Sequence, residues 1–235
     1  MKIIELNKQS CFFNADNFSA SLFDISFLEE NNLVIGNSVG RGVTWFFQYQ
    51  QKKYVLRHYY RGGLIGKINP DNFFYSGLKD TRAYNEFVLL EKMAQLGLPV
   101  PLPYAGRVSR KGLFYQADLI IELIDGAHDL VAVLNKHPIG EQQWQEIGRV
   151  IRLFHDNNIY HSDLNSHNIM LDKHNKIWLI DFDKCAQRVN DGWKQQTLDR
   201  LLRSFRKEKS KNKQFNWSEQ EWQYLLEGYC QHLGF

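Results

Sequence analysis

The stretch Ile159–Lys184, IYHSDLNSHNIMLDKHNKIWLIDFDK, decides how the chain is read. It gathers His161, Asp163, Asn168, Asp181 and Asp183, polar groups suited to divalent metal and proton transfer, between runs of strand-forming residues. HSDLNSHN puts a carboxylate, Asp163, and an amide, Asn168, on one loop, and the strand IWLI then delivers Asp181 at its end. Phosphoryl transfer asks for such parts: a carboxylate to accept the proton of the attacking hydroxyl, and oxygen ligands for the magnesium ions that bridge the triphosphate. Magnesium keeps several waters, so one or two carboxylates with an amide suffice.

The order HxDLxxxN, β-hairpin and Asp-Phe resembles the protein-kinase catalytic loop and metal-binding aspartate. Asp163 is then the base, and Asn168 and Asp181 the magnesium ligands. Upstream, LVIGNSVGRGVTWFFQYQQKKYVLRHYY from Leu33 reads as two β-rich runs around a glycine-containing turn, then a third strand ending near His58. Gly36, Gly40 and Gly42 would let backbone N–H groups lie over phosphates, although a plain β-turn accounts for the same glycines. Alternation sets Val55 and Arg57 on one face of the third strand and Tyr54 and Leu56 on the other, with Arg57 aimed at a nucleotide phosphate or at solvent.

Residues 59–79 read as a long loop in which Arg61 and Lys67 can meet an anionic acceptor, while Phe73, Phe74 and Tyr75 pack in the core or against a membrane surface. Asp80 is expected to cap a helix with Ala83, Phe87, Leu90 and Ala94 on one stripe; Gly97 closes it, and Pro99, Pro101 and Pro103 prevent its continuation. Glu86, beside that stripe, either pairs with a cation on a neighbouring strand or is a solvated carboxylate. Leu113–Gly126 reads as strand, turn and strand, then a connector suited to a hinge. After Gly140, Trp144, Ile147, Ile151 and Phe154 mark an amphipathic helix.

The C-terminal third reads as helical, with Leu198, Leu201, Leu202 and Phe205 on one stripe and Ser218 with Glu221 as a capping box. Between them Arg200, Arg203, Arg206, Lys207, Lys209, Lys211 and Lys213 outnumber Glu208, forming either a solvated face or a surface for anions. In chain order, a glycine hairpin, strand cation, helix glutamate, hinge, HxD loop and strand-end aspartate predict an α+β, protein-kinase-like two-lobed fold. It is read as a single kinase-like domain with a small β-rich N-lobe at about 1–124 and a mostly helical C-lobe at about 125–235. Gly40, Gly42, Arg57 and Glu86 are then the nucleotide-binding residues. Arg57 stands where the phosphate-pairing lysine is expected, keeping its charge but changing its geometry, with Glu86 as its partner.

At 235 residues, with 23% charged and 43% hydrophobic residues, the chain can bury a sizeable core. A net charge of +3 demands no nucleic acid. Cys11, Cys185 and Cys230 are odd in number and outside metal-ligand spacing, which favours reduced thiols. The N-terminal MKIIELNKQSCFF has no sustained apolar core and is a poor signal peptide, and the apolar runs are too short to span a bilayer, so any membrane association is expected to be peripheral.

LRHYYRGG, HSDLNSHNIMLD and WLIDFDKC, together with the chain length, resemble the lipopolysaccharide kinase family, in the branch acting on 3-deoxy-D-manno-octulosonic acid (Kdo). The resemblance runs from about Gly36 to the basic helix. It implies ATP-dependent phosphorylation, with Mg2+, of the Kdo 4-hydroxyl on a Kdo–lipid A precursor, at the cytoplasmic face of the bacterial inner membrane. The basic run and the Arg61 loop would then meet the acceptor's phosphates and carboxylates. Relative to protein kinases, Asp183 replaces the usual glycine, Ser162 replaces the usual arginine, and no Ala-Pro-Glu element follows, so a phosphorylation-controlled activation segment is not expected.

Four other readings compete. Asp181-Phe182-Asp183 also fits the DxD metal site of a nucleotide-sugar glycosyltransferase, which leaves Asp163 and Asn168 without a role. A pseudokinase would keep the fold without catalysis, in line with the missing strand lysine but not with Asp163, Asn168 and Asp181. His155, His161, His167 and His174 would serve a metallohydrolase, although their spacing matches no zinc motif. A small-molecule kinase of the aminoglycoside or choline type shares the loop chemistry and differs only in its acceptor.

Overall fold

Alternating and β-branched residues build most of the first half of the chain into one antiparallel sheet. Its strands are Lys2–Leu6 (β1), Gln9–Phe13 (β2), Val34–Val39 (β3), Val43–Tyr49 (β4), Lys52–His58 (β5), Phe73–Phe74 (β6), Pro103–Lys111 (β7) and Phe114–Glu122 (β8). The computed structural model describes residues 1–39, 42–62, 70–190 and 192–231. The strand order is β1-β2-β7-β8-β5-β4-β3, with β6 added on β8. The chain divides into two compact units, Met1–Lys92 with Pro101–Leu123, and Met93–Val100 with Ile124–Phe235.

In the first unit the sheet carries side chains on both faces, as the two-residue strand period requires. Phe13 joins Leu22, Phe23, Leu28, Phe47, Tyr54, Leu56 and Ile120 in one cluster, closed by the short helix Ile25–Glu30 (α1). Its neighbour Phe12 meets Phe87 of helix Arg82–Gln95 (α2) edge-on, ring centroids 5.2 Å apart. Phe12 also lies over its register partner Gly106, where a Cβ would run into the ring, so only glycine fits there.

Two expectations for this unit are corrected. Helix α2 starts two residues after Asp80, because Asp80 ends a 3-10 turn and the extended Thr81 (φ −76°, ψ 147°) supplies the carbonyl that accepts from Asn85 N–H. Leu113–Gly126 does not fold as two strands around a turn. It contributes one nine-residue strand, β8, paired along its length with β7, and the turn lies earlier, at Gly112 (φ 61°). Asp118 is buried within β8 and bonded by His58 Nδ1 (2.7 Å) and Arg107 Nε (2.9 Å). Alternation on β5 holds as read: Tyr54 and Leu56 join one cluster, while Arg57 meets Glu86 of α2, and Val55 is buried as well because both faces of the strand are covered.

The second unit is mostly helical: Leu130–Lys136 (α3), Glu141–Asp156 (α4), Gly192–Lys211 (α5) and Glu219–Cys230 (α6), with the short strands His128–Asp129 (β9), Ile159–Tyr160 (β10), Ile169–Leu171 (β11), Ile177–Leu179 (β12) and Ala186–Gln187 (β13). The α4 stripe Trp144, Ile147, Ile151 and Phe154 is buried as read. Helices α4 and α6 meet backbone to backbone, since a Cβ at Gly148 would strike Leu225 O and one at Gly228 would strike Gln145 O. The Ser218–Glu221 capping box opens α6. On α5, Leu198, Leu201 and Phe205 are buried and Leu202 half-buried. The observed architecture is thus α+β, with a β-rich unit and a mostly helical one.

Candidate active site

In the first unit, β5 and α2 bring a cation and a buried carboxylate together. Arg57 Nη2 donates to Glu86 Oε1 at 2.5 Å, and Tyr59 OH donates to Glu86 Oε2 at 2.5 Å. Glu86 is 3% exposed, so its charge is held by these two donors rather than by water. Burial, reinforced by the Glu86 carboxylate, drives the Tyr59 phenol well above its ordinary pKa and keeps its proton on the bond to Glu86. Of the two readings of Glu86, the paired one holds.

The β4–β5 register sets Thr44 opposite Arg57, which leaves Gly42 just beyond the paired part of that hairpin. A Cβ on Gly42 would run into the Tyr60 ring, so packing against Tyr60 already demands glycine there. Gly40 and Lys67 lie outside the described residues. Arg61 Nε donates to Asn72 O (2.7 Å), and its guanidinium lies over the Phe73 ring (5.0 Å). Phe73 is buried, Tyr75 half-buried and Phe74 exposed, so only part of this aromatic run joins the core.

In the second unit the loop between β10 and β11 is fixed by its own polar groups. His161 is buried, and its Nε2 lies 3.0 Å from Ile180 O, an atom that only accepts. The ring therefore carries its proton on Nε2, and Nδ1 is left to accept the Asp163 N–H at 3.2 Å. Burial lowers the His161 pKa and keeps this neutral tautomer. Asn165 Nδ2 (3.0 Å) and Asn168 Nδ2 (2.9 Å) both donate to Asp163 O. Three side chains thus pin the Asp163 backbone, while its carboxylate stays about half exposed with Arg200 Nη1 2.9 Å from Oδ1.

The same bonds prepare Asn168. With its amide nitrogen committed to Asp163 O, its amide oxygen is the atom left for a cation. Ile180 N–H donates to Asn168 O at 3.0 Å, tying the end of β12 to the loop. Asp181 follows in left-handed backbone (φ 66°), an unusual conformation for aspartate that turns the chain directly after the strand. An amide oxygen and a carboxylate on adjacent, hydrogen-bonded segments are hard donors that fit magnesium. Behind them Phe182 is fully buried, stacked on Phe154 (5.8 Å between centroids) and against His161 (4.8 Å).

Departures from the protein-kinase pattern have structural partners. Ser162 Oγ donates to Asp183 O at 2.8 Å, and Ser162 N–H donates to Cys185 Sγ at 3.2 Å. Ser166 Oγ and Ser204 Oγ, 2.8 Å apart, fasten the 3-10 turn Ser166–Asn168 to α5. Among the described residues the histidines do not converge as a metal cage. His155 bonds Tyr229 OH (2.7 Å) and Thr197 Oγ1 (3.1 Å), His161 braces the loop, and His167 Nδ1 faces Asp129 Oδ1 (3.2 Å).

The structure therefore brings Arg57 to Glu86 in one unit, and Asp163, Asn168 and the strand end bearing Asp181 together in the other. Tyr59 and Ser204 escaped the sequence reading, as did the contacts of Ser162 with Asp183 and of Arg200 with Asp163. Tyr59 lies two residues beyond Arg57, so strand alternation was an available signal for it. Nothing local links residues 163 and 166 to positions 200 and 204.

A family model described as the lipopolysaccharide kinase (Kdo/WaaP) family matches residues 26–229. A protein of Vibrio cholerae serotype O1 named 3-deoxy-D-manno-octulosonic acid kinase is 48% identical over 192 residues, 82% of this chain and 81% of the relative. Proteins of the same name from Vibrio vulnificus (strain YJ016) and Haemophilus influenzae (strain PittEE) are 46% and 42% identical, covering 89% and 98% of this chain and 88% and 100% of theirs. Match and geometry agree, and the chain belongs to the lipopolysaccharide kinase (Kdo/WaaP) family, a kinase with an α+β fold.

Proposed function

We propose that the protein transfers the γ-phosphoryl group of ATP to the 4-hydroxyl of the Kdo residue on a Kdo–lipid A precursor, in lipopolysaccharide core biosynthesis. The name shared by the relatives, at 42–48% identity, supports the acceptor. The observation that carries the chemistry is the frame of His161, Asn165 and Asn168, which pins the Asp163 backbone and leaves its carboxylate exposed. The reaction is placed at the cytoplasmic face of the inner membrane, with peripheral association. No helix among the described residues is long and apolar enough to cross a membrane.

In this reading Asp163 takes the proton of the Kdo 4-hydroxyl while that oxygen bonds to the γ-phosphorus. The bond from phosphorus to the β–γ bridging oxygen breaks, and ADP leaves. Arg57, aimed by Glu86, pairs with the donor's phosphates. Asn168 and Asp181 are the residues that would hold magnesium, which when bound neutralises charge on the triphosphate. His161 stays neutral and keeps Asp163 in place rather than exchanging protons with substrate.

The test is incubation with magnesium, ATP and Kdo-bearing lipid A precursor, followed by mass spectrometry and phosphorus NMR. One phosphoryl group added at Kdo C4 is the expected result. An unchanged acceptor mass with folded protein refutes the assignment.

A further inference from the structure

The basic run on α5 divides into members with structural partners and members without. Arg206 forks onto Glu219, with Nε to Oε1 at 2.8 Å and Nη2 to Oε2 at 3.0 Å. Lys209 Nζ donates to Lys213 O (2.9 Å) and Phe215 O (2.7 Å), holding the chain just past the helix end. Lys211 Nζ donates to Glu208 Oε1 at 2.7 Å. Arg203 and Lys207 are exposed and have no side-chain partner among the described residues.

These two do not lie at random on the helix. Arg200, Arg203 and Lys207 are spaced i, i+3, i+7, one stripe along α5. The stripe starts at Asp163, through the 2.9 Å contact from Arg200. The neighbouring turn is fastened to the same loop by Ser204 and Ser166, so loop and helix position the stripe as one piece. A row of cations that begins at the proposed base and runs outward over solvent is complementary to a substrate whose reacting hydroxyl sits beside anionic groups.

We propose that Arg203 and Lys207, continuing from Arg200, form the subsite that binds anionic oxygens of the acceptor and so delivers its hydroxyl to Asp163. This rests on the phosphotransfer reading above. A Kdo–lipid A precursor carries a carboxylate on the reacting sugar and phosphates beyond it, which suits a string of separate cations better than one buried pocket. Arginine and lysine on an exposed helix bind such groups by charge-assisted hydrogen bonds while the acceptor stays free to leave.

The test uses the full chain with the acceptor in neutral-detergent micelles. Arg203→Ala combined with Lys207→Ala is expected to raise the acceptor KM roughly tenfold with the donor KM at its wild-type value. Arg203→Lys combined with Lys207→Arg restores the acceptor KM. Lys136→Ala combined with Lys213→Ala removes the same charge from exposed positions off the stripe and leaves the acceptor KM unchanged. An unchanged acceptor KM in the stripe variant, or an equal rise in the control, overturns the subsite while wild-type turnover still upholds the kinase assignment. A loss confined to vesicles of anionic phospholipid, absent in neutral micelles, also overturns it and assigns the stripe to the membrane. Absence of wild-type turnover on the acceptor removes both proposals.

Discussion

Acid should loosen the helical unit through one buried imidazole, His155 at the end of α4. Thr197 Oγ1 spends its only hydrogen on Lys194 O (2.7 Å), so it accepts from His155 Nε2, and Tyr229 OH donates to Nδ1. The ring is thereby fixed as neutral, since a second ring proton would face the tyrosine hydroxyl's own hydrogen. Burial, with the nearby Lys194 and Arg152 cations, pushes its pKa from 6.5 down to about 3. The unfolded chain protonates near 6.5 and the folded chain does not. Stability is therefore complete above that value and is lost as pH falls toward about 3. At about pH 5, some one and a half pH units below the unfolded value at about 1.4 kcal/mol each, this one group costs about 2 kcal/mol. The perturbation is His155→Gln, which keeps a donor and an acceptor but does not titrate. Urea unfolding at about pH 8 and about pH 5 should show the wild type losing about 2 kcal/mol more than the variant. Equal losses in the two proteins refute the reasoning.

Two further outcomes follow from the site. Asp163→Asn should lower turnover on the Kdo acceptor by roughly two to four orders of magnitude, as for loss of a general base, with a melting temperature near wild type because the side chain is half exposed; near-normal turnover removes Asp163 from that role. Arg57→Met should cost about 3 kcal/mol in urea unfolding, because it takes the guanidinium away from the buried Glu86 carboxylate and leaves it the Tyr59 hydroxyl, and Arg57→Lys should recover much of that. A methionine variant as stable as wild type would show that the pair carries no such weight.

What could be read from the sequence was local, and what was missed was held by distant partners. The β3–β4–β5 hairpins, the α4 stripe and the α6 capping box follow from periodicity and side-chain chemistry within a few residues, and each stands as read. Strand β7 was not anticipated: the prolines before it were read only as ending the preceding helix, yet Pro103 opens the strand. The turn expected within Leu113–Gly126 is absent for a similar reason: the mid-strand carboxylate of Asp118 is intelligible only once His58 and Arg107, brought in from other strands, surround it. Gln50 and Gln51 turn the β4–β5 hairpin at φ 48° and 64°, with no glycine to announce it.

The loop shows the same division at the level of chemistry. The spacing HxDLxxxN pointed to Asp163 and Asn168 as a pair, and in the structure a hydrogen bond joins them. Asn168 reaches back to the Asp163 carbonyl only if the 3-10 turn Ser166–Asn168 closes between them. Asp183 and Ser162, each an unexplained departure when taken alone, meet through the Ser162 Oγ bond to Asp183 O. An arginine at 162 would be too long for that bond. The Asp163 carboxylate is met by Arg200 of α5, a helix that also carries the exposed stripe. A serine in the loop and an arginine on the helix thus form one arrangement. The serine closes the turn beyond Asp181, and the arginine links the proposed base to the surface where an anionic acceptor would arrive.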